Sequence, residues 1–334
     1  MSSRLERPLA LTCGDPAGIG AEIALKTWAE LRVTGPHFAY IGDCDHIGRT
    51  ARELGMPPPA RLDAIDQAPG IFQNAMPVLD QPLATEVAPG VPDRRHAPAI
   101  LQSIQTAVSL TVGGQAAGIV TNPISKHVLY QTGFSFPGHT EYLAHLTEAR
   151  RAPVMMLVIP QLRVVPVTIH HSVRDAVTKL SADLIVATAR TTAEGLTARF
   201  GLAKPRLAIA ALNPHAGEDG ALGSEEVTII RPAIEALKAQ GLAVTGPHPV
   251  DTLFHQAALP RFDAALCMLH DHALLPLKTL DFDHGVNVTL GLPIVRTSPD
   301  HGTAFDIAGK GLANPASLIA ALRLARDMAR MQVP

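Results

Sequence analysis

Short apolar runs recur along the chain, each closed by a polar turn that contains Gly or Pro. They fall at residues 9–12 before GDPAGIG, 118–120 before TNPISK, 164–169 before HHSVRD, 207–212 before NPHAGEDG and 264–269 before HDHALLPLK. Runs of this length, rich in Val, Ile and Leu, suit strands buried on both faces. Between them the apolar period lengthens. Val227, Ile230, Ile234 and Leu237 step by 3, 4 and 3, one face of a helix, and Leu318, Leu322, Ala325 and Met328 form a similar stripe. Asn314 can cap that last helix and Pro315 suits its first turn. Arg323, Arg326 and Arg330 on the same helix read as a solvated face. Residues 57–95 are Pro-rich and weakly periodic and read as a surface excursion. Strands alternating with helices predict an α/β fold with a largely parallel sheet. Ligands gather at the carboxyl ends of such strands, where the polar turns sit.

A length of 334 residues suggests two domains. With 47% hydrophobic and 17% charged residues the chain is globular, outside the disordered regime. A formal net charge of -2 gives no sign of a nucleic-acid partner, so any affinity for anions must be local. Cys13, Cys44 and Cys267 are sparse and odd in number, which fits a reducing compartment better than a disulfide framework. The first apolar stretch is broken by Asp15 and Pro16, and no run approaches the roughly 18 residues of a membrane span. A soluble, cytoplasmic protein with no membrane partner is expected.

Three histidines follow apolar runs: His170, His215 and His270. Imidazole suits Zn and similar divalent ions, and a catalytic centre needs three protein ligands with positions left open. Their spacings of 45 and 55 residues match no local ligand motif, and a single histidine is more often merely hydrogen-bonded. Gly138, His139, Thr140 and Glu141 can open a helix whose first N–H groups favour phosphate or carboxylate. Lys278, Asn287 and Arg296 follow His270 within an apolar, Gly- and Pro-punctuated stretch, where unpaired charge is costly. GDPAGIGAE lacks the GxGxxG spacing and no Walker sequence is present. A tight strand-to-helix turn facing the cleft describes it better than a nucleotide fingerprint.

In order along the chain, GDPAGIGAE, TNPISK, FPGHTEYLA, VTIHHSVRD, ALNPHAGEDGALGSEE, GPHPVDTLF, MLHDHALLPLKT and GVNVTLGLPIVRTSPDHGTAFDIAGKG resemble the 4-hydroxythreonine-4-phosphate dehydrogenase family of vitamin B6 biosynthesis. The resemblance spans nearly the whole chain. It implies metal ligands at His170, His215 and His270, and substrate contacts at His139, Thr140, Lys278, Asn287 and Arg296. It implies a homodimer whose site is shared, with the third metal histidine given by the other chain. The family usually reads HDQ where this chain has His270, Asp271 and His272. HGTAFDIAGKGLANP is similar to the adenosine-binding loop of isopropylmalate and isocitrate dehydrogenases, making His301, Gly302, Thr303 and Asp306 cofactor candidates. The fold implied is their two-domain α/β/α sandwich, with residues 1–128 and 302–334 in one domain and 129–301 in the other. The second would carry most metal and substrate residues and the dimer interface.

The reaction implied is oxidation of 4-phosphohydroxy-L-threonine at C3 by NAD, or NADP, with a divalent ion (Zn, Mg, Co or Mn), followed by decarboxylation. Lys278, Asp271 and Asp251 are candidates for proton handling, Asp251 also as a partner orienting a metal histidine. A paralogous 4-phospho-D-threonate or 4-phospho-D-erythronate dehydrogenase would use the same sites. A zinc hydrolase would need a glutamate base near the ligands, and no HExxH occurs. A non-catalytic phosphometabolite sensor would not require so complete a set of ligand residues.

Overall fold

The computed structural model describes residues 7–331. The chain divides into two compact units, residues 1–150 with 292–334, and residues 151–291.

The sheet of the first unit uses β1 (Leu9–Thr12), β2 (Phe38–Gly42), β3 (Ala60–Leu62), β4 (Pro77–Asp80), β5 (Ile119–Val120) and β12 (Arg296–Pro299). They lie in the order β3-β4-β2-β1-β5-β12, and every pairing is parallel. Its helices are α1 (Gly20–Leu31), α2 (Cys44–Glu53), α3 (Ala68–Ile71), α4 (Ala97–Val112), α5 (Lys126–Tyr130), α6 (His139–Leu146) and α12 (Ala316–Arg330). Every residue of β1 and β2 is buried, so the sheet is covered on both faces. Ala10, Ala39, Ile41 and Ile119 join one core with Ile100, Ile104 and Ala107 of α4. Phe38 meets Phe72 edge-on at 5.1 Å. Leu318, Leu322, Ala325 and Met328 are all buried, as their spacing predicts. The backbone N–H of Ala316 donates to Asn314 Oδ1, and Pro315 itself caps the helix.

The second unit contains β6 (Val154–Ile159), β7 (Leu162–Pro166), β8 (Arg206–Ala210), β9 (Ala243–His248), β10 (Ala264–Cys267) and β11 (Val286–Leu290) in the order β11-β6-β7-β10-β8-β9. The pairs of β7, β10, β8 and β9 are parallel; β6 is antiparallel to both its neighbours. Its helices are α7 (Val173–Lys179), α8 (Ala182–Phe200), α9 (Arg231–Ala239), α10 (Val250–Leu253) and α11 (His270–Leu280). Leu157, Val164, Ala208 and Ala265 share a core with Ala273 and Leu277 of α11.

Three expectations are corrected. Residues 57–95 are not simply an excursion: they hold β3 and β4, and Gly90 donates its N–H to Ala17 O at 2.8 Å. Short strands within Pro-rich sequence leave too few apolar positions for a period to show. The units divide at 150/151 and 291/292 rather than at 128/129 and 301/302. Val128, Leu129, Tyr142 and Leu143 pack into the first unit's core, which carries α5 and α6 with it, and β12 pairs with β5. The helix read from Val227 begins with a π-helical turn, Glu226–Ile230, and Val227 is exposed. Among the described residues no helix is long and apolar enough to cross a membrane.

Candidate active site

In the first unit, the turn after β5, the start of α6 and the start of β12 bring together a cationic cluster. Arg296 is the first residue of β12, paired with Ile119, and is 3% exposed. Its Nε and Nη2 donate to Thr121 Oγ1 at 3.2 and 2.7 Å. Burial pulls its guanidinium down to about 10, with Glu141 acting the other way. Gly138 precedes α6 in extended backbone, and a Cβ there would lie 3.3 Å from Lys126 Cε and 3.4 Å from Glu141 Oε2. His139 opens that helix. Burial, then the charges of Arg296 and Lys126, push its ring down to about 3, and its shielded Nε2 has no hydrogen-bond partner. The imidazole is therefore neutral near pH 7. Two cations against one carboxylate leave a net positive cluster at a helix N-terminus, suited to phosphate or carboxylate. Thr140, half-buried, is the next residue of α6. His139, Thr140 and Arg296 thus belong to the first unit, not to the second as the sequence borders imply.

The cofactor candidates follow β12 in the same unit. Thr303 O accepts the Ile19 N–H at 3.1 Å, and a Cβ on Gly18 would stand 2.8 Å from that oxygen. The GDPAGIG turn is thereby a backbone buttress for this loop. Lys26 Nζ donates to Gly311 O and Ala313 O at 2.9 and 2.8 Å, and Glu22 Oε1 accepts the Ala313 N–H at 2.8 Å. A Cβ on Gly90 would meet Phe305 O at 2.8 Å. The loop is braced from both sides, while Gly302 faces open space and Asp306 is exposed. A held backbone with one open glycine fits a nucleotide that stacks along it. His301 Nδ1 lies 3.0 Å from Gly302 O. Beneath the turn, Asp15 is buried; its Oδ1 accepts the Ala17 N–H, its Oδ2 has no partner, and burial pushes its carboxyl up to about 6.

The second unit carries the histidines. β7, β10 and β8 are adjacent and parallel, and His170, His215 and His270 follow their carboxyl ends. Asp251, exposed on α10, follows β9 at the same edge. His170 and His215 both have φ +52, a left-handed conformation costing a non-glycine residue about 1–2 kcal/mol. Such outliers cluster at functional sites. His270 Nδ1 lies 2.8 Å from Asp271 Oδ1, an arrangement that leaves Nε2 available for an ion. His272 is half-buried, and burial lowers its ring below the ordinary value, with Asp271 opposing. The donor set and its exposure fit a divalent ion. Among the described residues of one chain, however, no three His, Cys, Asp or Glu side chains are grouped closely enough to hold a metal.

Lys278 and Asn287 sit apart from this edge. Lys278 lies eight residues beyond His270 on α11, about 12 Å along the axis. Its Nζ is 5.4 Å from the centre of the Phe282 ring. Asn287 shares a row with Leu157, Val164 and Ala265, mid-sheet and three strands from β10, and its Oδ1 is shielded without a partner.

Several residues of consequence were missed. Thr121 and Lys126 lie inside a motif already visible, TNPISK, but nothing in their spacing marks Thr121 as a neighbour of Arg296 or Lys126 as one of His139. Glu226, in GSEE, is 1% exposed. Burial alone would raise its carboxyl; hydrogen bonds from Asn213 and Leu212 outweigh that and hold it below the ordinary value.

Comparison with known proteins identifies the family. The family model described as pyridoxal phosphate biosynthetic protein PdxA matches residues 36–325. A 4-hydroxythreonine-4-phosphate dehydrogenase of Caulobacter vibrioides is 52% identical, over 97% of this chain and 98% of its own. One from Bradyrhizobium diazoefficiens is 51% identical over 98% and 99%. The crystal structure of the Klebsiella pneumoniae 4-hydroxythreonine-4-phosphate dehydrogenase superposes with a TM-score of 0.87 at 36% identity, covering 97% of this chain and 98% of that one. Matched along nearly its whole length in sequence and in fold, this chain belongs to the PdxA family.

Proposed function

We propose that this chain oxidises 4-phosphohydroxy-L-threonine at its C3 hydroxyl with NAD, or NADP, and that the β-keto acid formed loses carbon dioxide to leave 3-amino-2-oxopropyl phosphate, within pyridoxal phosphate formation. The observation that carries this reading is the cationic cluster at the start of α6, made of buried Arg296, exposed Lys126 and half-buried, neutral His139. Arg296 presents a planar fork to an anionic group, and Thr121 holds that fork in place. His139 and Thr140 supply polar contacts beside it, and Lys278 and Asn287 are further substrate contacts. His301, Gly302, Thr303 and Asp306 would hold the nicotinamide cofactor, which accepts the hydride.

His170, His215 and His270 would hold one divalent ion (Zn, Mg, Co or Mn), which lowers the pKa of the substrate hydroxyl and stabilises negative charge there. Asp271 would fix the His270 ring, and Asp251 is a candidate to orient another. Lys278, Asp271 and Asp251 are the proton-handling candidates. A homodimeric site, with His270 coming from the other chain, is supported by two features. No three ligands group within one chain among the described residues, and His270 stands about 12 Å along α11 from Lys278. A zinc hydrolase fits less well, because the buried carboxylate beside His215, Glu226, is committed to N–H donors.

The test is NADH production from 4-phosphohydroxy-L-threonine, 4-phospho-D-threonate and 4-phospho-D-erythronate, each with and without a chelator. The first substrate should be preferred and the chelator should abolish turnover. Preference for a phosphosugar acid would move the chain to the paralogous activity, and full turnover after exhaustive chelation would remove the metal from the reading.

A further inference from the structure

His215 sits on a turn of uncommon backbone conformation. Residues 215–219 all have positive φ, from 43 to 74°, and four of the five are not glycine. Left-handed backbone is ordinarily visited by single residues, not by runs. Among the described residues no hydrogen bond reaches the His215 ring. The aim of the imidazole therefore depends on whatever holds the backbone beneath it.

Leu222 and Ala221 donate their N–H groups to Gly217 O and Glu218 O at 3.1 and 3.2 Å, and Arg231 Nη2 donates to Asp219 Oδ1 at 2.5 Å, while the backbone that leads into His215 is held by the carboxylate of Glu226. Its Oε1 accepts the N–H groups of Leu212 and Asn213 at 2.8 and 2.7 Å, and its Oε2 accepts from Asn213 Nδ2 at 2.9 Å. Glu225 Oε2 takes the same Asn213 amide at 2.7 Å. The closing residues are fitted to this clamp. A Cβ on Gly217 would lie 2.5 Å from Glu226 Oε2, and one on Gly223 would lie 2.4 Å from Asn213 Nδ2. Glu226 also opens the π-helical turn, a geometry that recurs at functional sites.

We propose that Glu226 is a positioning residue: its buried carboxylate pins the 212–217 turn so that His215 is already aimed for a divalent ion. The proposal rests on the reading of His215 as a metal ligand. Glu226 touches neither ion nor substrate and acts only through the backbone that bears His215.

The experiment measures Co²⁺ affinity of the purified dimer by competition with a chromophoric chelator, together with far-UV circular dichroism and Tm. The variants are Glu226→Gln, Glu226→Ala, Gly217→Ala and His215→Ala. Glu226→Ala and Gly217→Ala should weaken Co²⁺ binding by roughly 10- to 100-fold, the usual cost of losing a group that orients a ligand. Glu226→Gln keeps an acceptor for the two backbone N–H groups and should fall between them and the parent. It carries the test if Glu226→Ala does not fold. A merely structural role would lower Tm and leave the Co²⁺ affinity of the folded protein unchanged. Parent-like affinity in folded Glu226→Gln and Gly217→Ala, with His215→Ala defective, overturns the positioning role alone. Parent-like affinity in His215→Ala overturns the metal reading and this inference with it.

Discussion

Arg296 in the first unit is enclosed and the Nε2 of half-buried His139 is shielded, while His170 and His215 in the second are exposed and His270 is half-exposed. The first pair is held by packing and by Thr121; the histidines are held by backbone turns in left-handed conformation or by a neighbouring carboxylate. A buried guanidinium has shed water before any anion arrives, so the anion need not displace it, and its attraction acts across a low dielectric. A metal ligand has the opposite need. Its nitrogen must stay reachable, so its orientation has to come from the chain behind it. One unit stores its chemistry in burial and the other in backbone conformation, and perturbing each should have different consequences.

The largest effect is expected on the exposed side. If His215 holds the proposed ion, His215→Ala should lower turnover by roughly 10²-fold or more, because charge stabilisation by such an ion is worth several kcal/mol. Steady-state NADH formation checks this, and undiminished turnover would break the contrast at its metal end. On the buried side, Arg296→Ala should lower kcat/KM by about 10- to 150-fold, the loss of a charge-assisted contact of about 1.5–3 kcal/mol. NAD affinity should barely change; normal substrate binding by the variant would show that burial there serves packing only.

A subtler outcome concerns subunits. If His270 completes a site whose other histidines belong to the partner chain, mixing inactive His270→Ala with inactive His170→Ala chains restores activity. Random pairing places one intact site in about half of the dimers, since one site of a mixed dimer carries both defects and the other none. Tagged mixed dimers that stay inactive would assign all three ligands to one chain.

The smallest effect is on stability. Burial holds Asp15 up to about 6, above its ordinary 3.8, so the folded state keeps a proton that the unfolded state gives up. Its contribution is fully present below about pH 4 and is lost as pH rises through 6. Asp15→Asn mimics the protonated form and should raise Tm by a few degrees at pH 8 with little change at pH 4, the upper bound being about 3 kcal/mol. Equal melting shifts at both pH values would show that the carboxyl's ionisation costs the fold nothing.

Local pattern carried much of this protein. Buried parallel strands have no polar face, so β1, β5, β7, β8 and β10 stand out as apolar runs ending in polar turns. The buried stripe of α12 is equally legible, because its period lies within one element. Glu226 could not be read this way. Its contacts are hydrogen bonds to residues 13 and 14 positions away, and a glutamate three residues after a glycine resembles any surface glutamate. Thr121 beside Arg296 is hidden for the same reason: 175 residues separate them, and the pairing of β5 with β12 brings them together. The sequence by itself determined the strands, the amphipathic helices and the family motifs, since each depends on neighbours along the chain. The tertiary structure alone decided where the units divide, which charges cluster and what holds the His215 turn, since these depend on neighbours in space.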